Sequence, residues 1–204
     1  MLLILSGKSG SGKDFITQTI LNHYPDIITR LVAYTSRPIR PNEINGKDYY
    51  FLTKEKFQSL IQENRFIEYR SFQTNVNGIP DEWFYGTRKF QPLEQDKIMI
   101  VIKDLAGAKE LKEYCNSIGE ACACILIEAN ETIRTERAKQ RSGFDQIEWD
   151  RRLKTDEFDF SIERQTGIVD YTIRNDEGLS LDDLATKCIQ IGMEFETYSF
   201  EREK

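Results

Sequence analysis

The stretch Met1-Leu2-Leu3-Ile4-Leu5-Ser6-Gly7-Lys8-Ser9-Gly10-Ser11-Gly12-Lys13-Asp14-Phe15-Ile16 decides how the chain is read. An apolar run gives way at once to glycines, after which Phe15, Ile16, Ile20 and Leu21 recur at helical spacing. A strand, a tight loop and an amphipathic helix in that order open a βαβ unit. Gly7 to Lys13 fits the G-x-x-x-x-G-K part of the Walker A pattern, and it lies between strand and helix, where that pattern has meaning. Glycines let successive backbone N–H groups face one anion, the helix adds its positive end, and Lys13 can bridge the outer phosphates. Gly7, Lys8, Ser9, Gly10, Ser11, Gly12 and Lys13 are therefore the expected triphosphate-binding set. Asp14 stands where the pattern carries the serine or threonine that holds Mg²⁺. A carboxylate is a hard-oxygen ligand for that ion, and in a first helical turn it also complements the dipole; both roles stay open.

At 204 residues the chain suits one compact α/β domain with a real core. Hydrophobic residues make up 39% and charged residues 30%, the balance of an ordinary globular protein. A net charge of -6 argues against a protein that coats nucleic acid, while a few arginines in a cleft can still hold a small anion. Cys115, Cys122, Cys124 and Cys188 are too scattered for a disulfide scaffold and read as reduced core thiols. The apolar N-terminus has no basic leader and is too short to span a bilayer, so a cytoplasmic protein with no membrane partner is expected. Oligomeric state is not legible.

Further apolar runs at Leu31 to Tyr34, Ile98 to Ile102, Ala123 to Ile127 and Val169 to Ile173 read as buried strands, with helices at about 105 to 118, 131 to 141 and 180 to 194. This alternation predicts a mostly parallel sheet with helices on both faces. Two stretches break it. About 35 to 90 carries a strand at Asp48 to Leu52, a helix capped by Thr53 with Phe57, Leu60 and Ile61 on one face, and a strand at Phe66 to Tyr69, as a small inserted β-rich subdomain. About 137 to 165 is crowded with charge and reads as a poorly buried helical lid. The core is then about 1 to 34, 91 to 136 and 166 to 200.

The segment Thr35-Ser36-Arg37-Pro38-Ile39-Arg40-Pro41-Asn42-Glu43-Ile44-Asn45-Gly46-Lys47-Asp48-Tyr49-Tyr50-Phe51 resembles the acceptor-binding stretch of guanylate kinases, and the match continues through Phe66-Ile67-Glu68-Tyr69 and Tyr85-Gly86-Thr87. The resemblance implies a P-loop NTPase-type fold with a nucleotide-monophosphate-binding subdomain and a lid. It implies ATP and Mg²⁺ at the loop, and GMP or dGMP as acceptor. Arg37, Arg40, Tyr49 and Tyr85 would hold the acceptor's phosphate, Glu68 and Thr87 its guanine, and Asp104 would lie near acceptor and metal beside Asp14. Two guanidinium forks can grip a phosphate bidentately, and a carboxylate accepts from the ring N–H and exocyclic amine of guanine. In the family's pattern Ala33 is usually a serine and Ile102 an acid, and the segment between Glu68 and Tyr85, read as a loop over about 70 to 84, is longer here.

Phosphoryl transfer asks for alignment and charge neutralisation, not a protein nucleophile, and the single histidine, His23, reads as a helix-end residue. Arg134, Arg137 and Arg141 recur at helical spacing, and Arg152 follows at a position resembling another lid arginine of the family. Arg137, Arg141 and Arg152 are the expected clamps on the transferring group, beside Lys13. Asn175, followed by Asp176, matches a family position that touches the adenine of ATP. Two other readings remain: the same fold acting on another acceptor, as in some deoxynucleotide and phosphomevalonate kinases, or a non-catalytic guanylate-kinase-like binding module.

Overall fold

A computed structural model describes residues 1–76, 79–94, 97–140, 144–176 and 178–202. In chain order the elements are β1 (Leu2–Ser6), α1 (Lys13–His23), β2 (Ile28–Arg30), β3 (Tyr34–Thr35), β4 (Tyr50–Phe51), α2 (Lys54–Gln62), β5 (Phe66–Val76) and β6 (Ile79–Arg88). They continue as β7 (Ile98–Ile102), α3 (Leu105–Ser117), β8 (Cys122–Glu128), α4 (Glu131–Lys139), α5 (Gln146–Asp159), α6 (Ile162–Gln165), β9 (Tyr171–Arg174) and α7 (Leu181–Arg202). The chain divides into two compact units, Met1–Arg30 with Leu93–Lys204, and Leu31–Pro92.

The first unit is built on a five-stranded sheet in the order β2-β7-β1-β8-β9, every neighbouring pair parallel. All of β1 is buried, as an apolar run without polar alternation requires. Leu3 and Leu5 pack with Ile16 and Ile20 of α1 and with Leu184, Ala185, Cys188 and Ile189 of α7. Leu2 and Ile4 are equally buried on the opposite face, where α3 lies against β1 and β8. The α/β architecture with both faces covered is thus present. Cys115, Cys122, Cys124 and Cys188 are free and buried, and burial pushes the Cys124 and Cys188 thiols up to about 12. Among the described residues no helix is long and apolar enough to cross a membrane.

The second unit carries a four-stranded sheet in the order β4-β3-β6-β5. Its core is aromatic: Phe57 of α2 stacks on Phe66 at 4.4 Å and on Phe84 at 5.5 Å between ring centroids, with Leu60 beside them. Thr53 caps α2 as expected, its hydroxyl accepting from the Lys56 N–H at 3.2 Å.

Two local expectations change. The run Leu31 to Tyr34 is not one strand, because the chain crosses there from one unit to the other: β2 pairs with β7, and β3 pairs with β6. The described residues of the stretch after Glu68 form no loop. They extend β5 antiparallel to β6, in register from Glu68↔Thr87 to Val76↔Ile79, which satisfies the backbone of a segment with little apolar signal of its own. The charge-rich stretch holding α5 is mostly exposed over residues 144–165, with Trp149, Asp156 and Phe160 as its buried positions and Phe160 clustered with Leu105 and Leu126.

Because Leu5 is fully buried between α1 and α7, Leu5→Ala should cost roughly 2–5 kcal/mol in urea unfolding. A loss below about 1 kcal/mol would contradict this packing.

Candidate functional site

The phosphate loop begins where β1 ends. Gly7 has φ +145 and Gly12 φ +96, a region closed to most side chains, and a Cβ on either would collide, with the Ile127 carbonyl and the Asn175 amide respectively. Gly12 is also the residue from which α1 starts, and Lys13 opens the helix. The Lys13 ammonium reaches back across the loop, donating to the carbonyls of Gly7 and Lys8 (3.0 Å) and to Ser11 Oγ at 3.3 Å. The Ser11 N–H closes a turn onto the Lys8 carbonyl at 3.2 Å.

Groups outside the loop hold its backbone. Asn175, buried after β9, donates from Nδ2 to the Ser11 carbonyl at 2.8 Å. Arg137 of α4 donates from Nη2 to the Asn175 carbonyl at 3.1 Å and Oδ1 at 3.4 Å. Asn175, expected to face the donor's base, therefore has its side chain committed to the loop, and Arg137 is joined to it. On the other side of the loop, Asp156 of α5 accepts from the Ser9 N–H, and Arg134 donates to the Ser9 carbonyl.

The remaining candidate residues of the first unit are more open. Asp14 is exposed in the first turn of α1. Asp104 is exposed too, and its Oδ1 caps α3 by accepting from the Gly107 N–H at 2.7 Å, a task the sequence did not reveal. Arg152 is 51% exposed and pairs with Glu148 at 2.9 Å, four residues earlier on α5. Arg151 and Arg152 together draw the Glu148 carboxyl down to about 2. Arg141 lies outside the described residues.

In the second unit two groups form. The Arg37 guanidinium, nearly fully buried, meets Glu43 in a two-pronged pair at 2.7 and 3.0 Å and donates to the Pro38 carbonyl at 2.8 Å. It also lies over the rings of Tyr49 and Phe51, at 5.7 and 5.6 Å from their centroids. The pairing raises the Arg37 pKa and holds the Glu43 carboxyl below its ordinary range. Tyr49 meets Tyr85 edge to face at 5.9 Å. Arg40 joins through its backbone N–H, which donates to Glu43 at 2.7 Å, while its side chain is exposed.

The second group is Glu68 with Thr87, both buried, the threonine hydroxyl donating to Glu68 Oε1 at 2.6 Å. A register shift between Phe66 and Glu68 sets them opposite each other, a bulge re-aiming one side chain. Gly86 makes this possible, since a Cβ there would press on Glu68 O at 2.9 Å and on the ring of Phe66 at 3.0 Å.

Three residues of these clusters were not singled out from sequence as site residues. Glu43 had a signal, one acid in a loop with two arginines. Arg134 shared the spacing of the lid arginines, but nothing marked Asp156 within a helix rich in both charges.

The family model described as guanylate kinase matches residues 1–113, more than half of the chain. The chain belongs to the guanylate kinase family. It is 30% identical over 169 residues to the guanylate kinase of a Nostoc species, covering 79% of this chain and 80% of that one. Against the guanylate kinase of Wolbachia pipientis it is 33% identical over 177 residues, 87% and 83% of the two chains. The crystal structure of guanylate kinase from Anaplasma phagocytophilum shares the fold at a TM-score of 0.60, with 22% identity over 95% of this chain and 85% of that one.

Gly12→Ala should cost at least about 1–2 kcal/mol through its backbone conformation alone, with a further loss from the contact with Asn175. Chemical unfolding beside Gly119→Ala, which has open space but the same sign of φ, separates the two contributions; equal losses would contradict the contact.

Proposed function

We propose that this family member transfers the γ-phosphoryl group of ATP to GMP or dGMP, giving ADP and the corresponding diphosphate. The observation that carries the acceptor assignment is the buried Glu68–Thr87 pair at 2.6 Å. A carboxylate at that place accepts from the ring N–H and exocyclic amine of guanine; adenine presents an acceptor at the matching ring nitrogen and leaves two acceptors opposed. Arg37, held in orientation by Glu43, would grip the acceptor's phosphate with Arg40, while Tyr49 and Tyr85 add hydroxyl donors without charge.

On the donor side the loop amides and Lys13 would hold the triphosphate. The hard carboxylate oxygens of Asp14 and Asp104, both exposed in the first unit, suit Mg²⁺, which when bound neutralises phosphate charge. Arg137, Arg141 and Arg152 would supply positive charge to the migrating group, and a closed lid would exclude the water that otherwise competes for it. The four free, buried cysteines support a reducing, cytoplasmic setting, with small nucleotides as the partners.

A coupled assay with GMP, dGMP, AMP and dTMP tests the reading: guanine nucleotides should turn over best, and equal or better turnover of AMP or dTMP would sink it. Lys13→Ala should abolish turnover in a folded protein. Glu68→Gln should lose about tenfold or more in preference for GMP over AMP, because one charge-assisted hydrogen bond is worth about 1.5–3 kcal/mol.

A further inference from the structure

Both backbone groups of Ser9 are held from outside the phosphate loop. Its N–H donates to Asp156 Oδ2 at 2.7 Å, and its carbonyl accepts from Arg134 Nη1 at 3.0 Å. The Ser9 hydroxyl lies 3.4 Å from Asp156 Oδ1. Arg134 and Asp156 meet at 3.4 Å with side chains only 4% and 11% exposed, and Glu131 stands 3.9 Å from the same guanidinium. Arg134 also backs the next residue: a Cβ on Gly10 would come within 2.7 Å of the Arg134 carbonyl.

We propose that Arg134 and Asp156 are positioning residues for the phosphoryl donor, which fix the Lys8–Ser9–Gly10 arc of the loop in the orientation that receives the triphosphate. The identity of that donor rests on the function proposed above.

Three physical points carry this. A buried ion pair adds little net stability over apolar side chains of the same size, because desolvation offsets the attraction; what it supplies here is direction, one acceptor for the N–H and one donor for the carbonyl of a single residue, which fixes the two peptide units that flank Ser9. A carboxylate beside a polyanion site is unfavourable unless compensated, and Arg134 is the compensating charge. Asp156 also lies one turn beyond Arg152 and two beyond Glu148 on the same face of α5, so seating Asp156 on the loop sets where Arg152 stands relative to it.

The test reads ATP binding by calorimetry, which needs no turnover, beside steady-state kinetics. In Arg134→Leu/Asp156→Ala, which removes both charges together, the Kd and KM for ATP should rise about tenfold or more while the KM for GMP stays within about twofold. Arg134→Leu alone leaves the carboxylate uncompensated and should weaken ATP further than the double substitution does. Asp156→Asn keeps an acceptor for the Ser9 N–H and should fall between the double variant and the parent protein. ATP affinity within about twofold of the parent in the folded double variant would overturn the proposal, as would equal rises in both KM values. Should the double variant not fold, Asp156→Asn decides: a loss of about threefold or more supports the proposal, and unchanged affinity overturns it. A parent protein that binds ATP yet phosphorylates no guanine nucleotide counts against the proposed function alone, since the calorimetric comparison still stands.

Discussion

The structure depends on one constraint, that a glycine-rich loop at the end of β1 must be held in backbone conformations closed to most side chains. Such a loop has no side-chain mass with which to hold itself. Its order comes from neighbours: Lys13 spans it from within, Asn175 takes the Ser11 carbonyl, and Asp156 with Arg134 takes both groups of Ser9. Those neighbours come from α1, the end of β9, α5 and α4, so much of the first unit bears on the conformation of a few residues. The parallel sheet makes this possible by bringing the ends of β1, β8 and β9 side by side.

The second unit answers a different demand, to bury two polar groups without leaving them unpaired. Arg37 would be costly to bury alone, and Glu43 and the faces of Tyr49 and Phe51 surround it. Glu68 is buried with a hydroxyl donor from Thr87 on the adjacent strand. Both arrangements stand on the stacked core of Phe57, Phe66 and Phe84, which the helix capped by Thr53 delivers to the sheet.

How much of this the sequence disclosed follows the range of each interaction. The strand, loop and helix at residues 2–23 are set by neighbours a few positions apart, and their reading matches the structure closely. The strand at Ile98–Ile102 and the helix after it were legible for the same reason. Residues 31–34 were not, because which sheet an apolar residue joins depends on partners far along the chain. The pairing of Glu68 with Thr87 needs a bulge that has no sequence signature, although family resemblance had assigned both residues to one ligand. Asn175 was marked from the sequence for the donor's base, and the donation of its amide to the Ser11 carbonyl had no sequence signal. Asp156 was hidden entirely: in a helix with acids and bases on every turn, only the fold distinguishes the carboxylate that is buried.

The proposed function implies a division of labour, with donor groups on the first unit and the groups for the acceptor's base and phosphate on the second. Calorimetric titration of Lys13→Ala with ATP and with GMP in separate experiments tests it most directly. The account predicts that ATP binding weakens by about tenfold or more, the worth of a charge-assisted contact, while GMP affinity stays within about twofold of the parent protein. Loss of GMP binding to the same extent as ATP binding would contradict it.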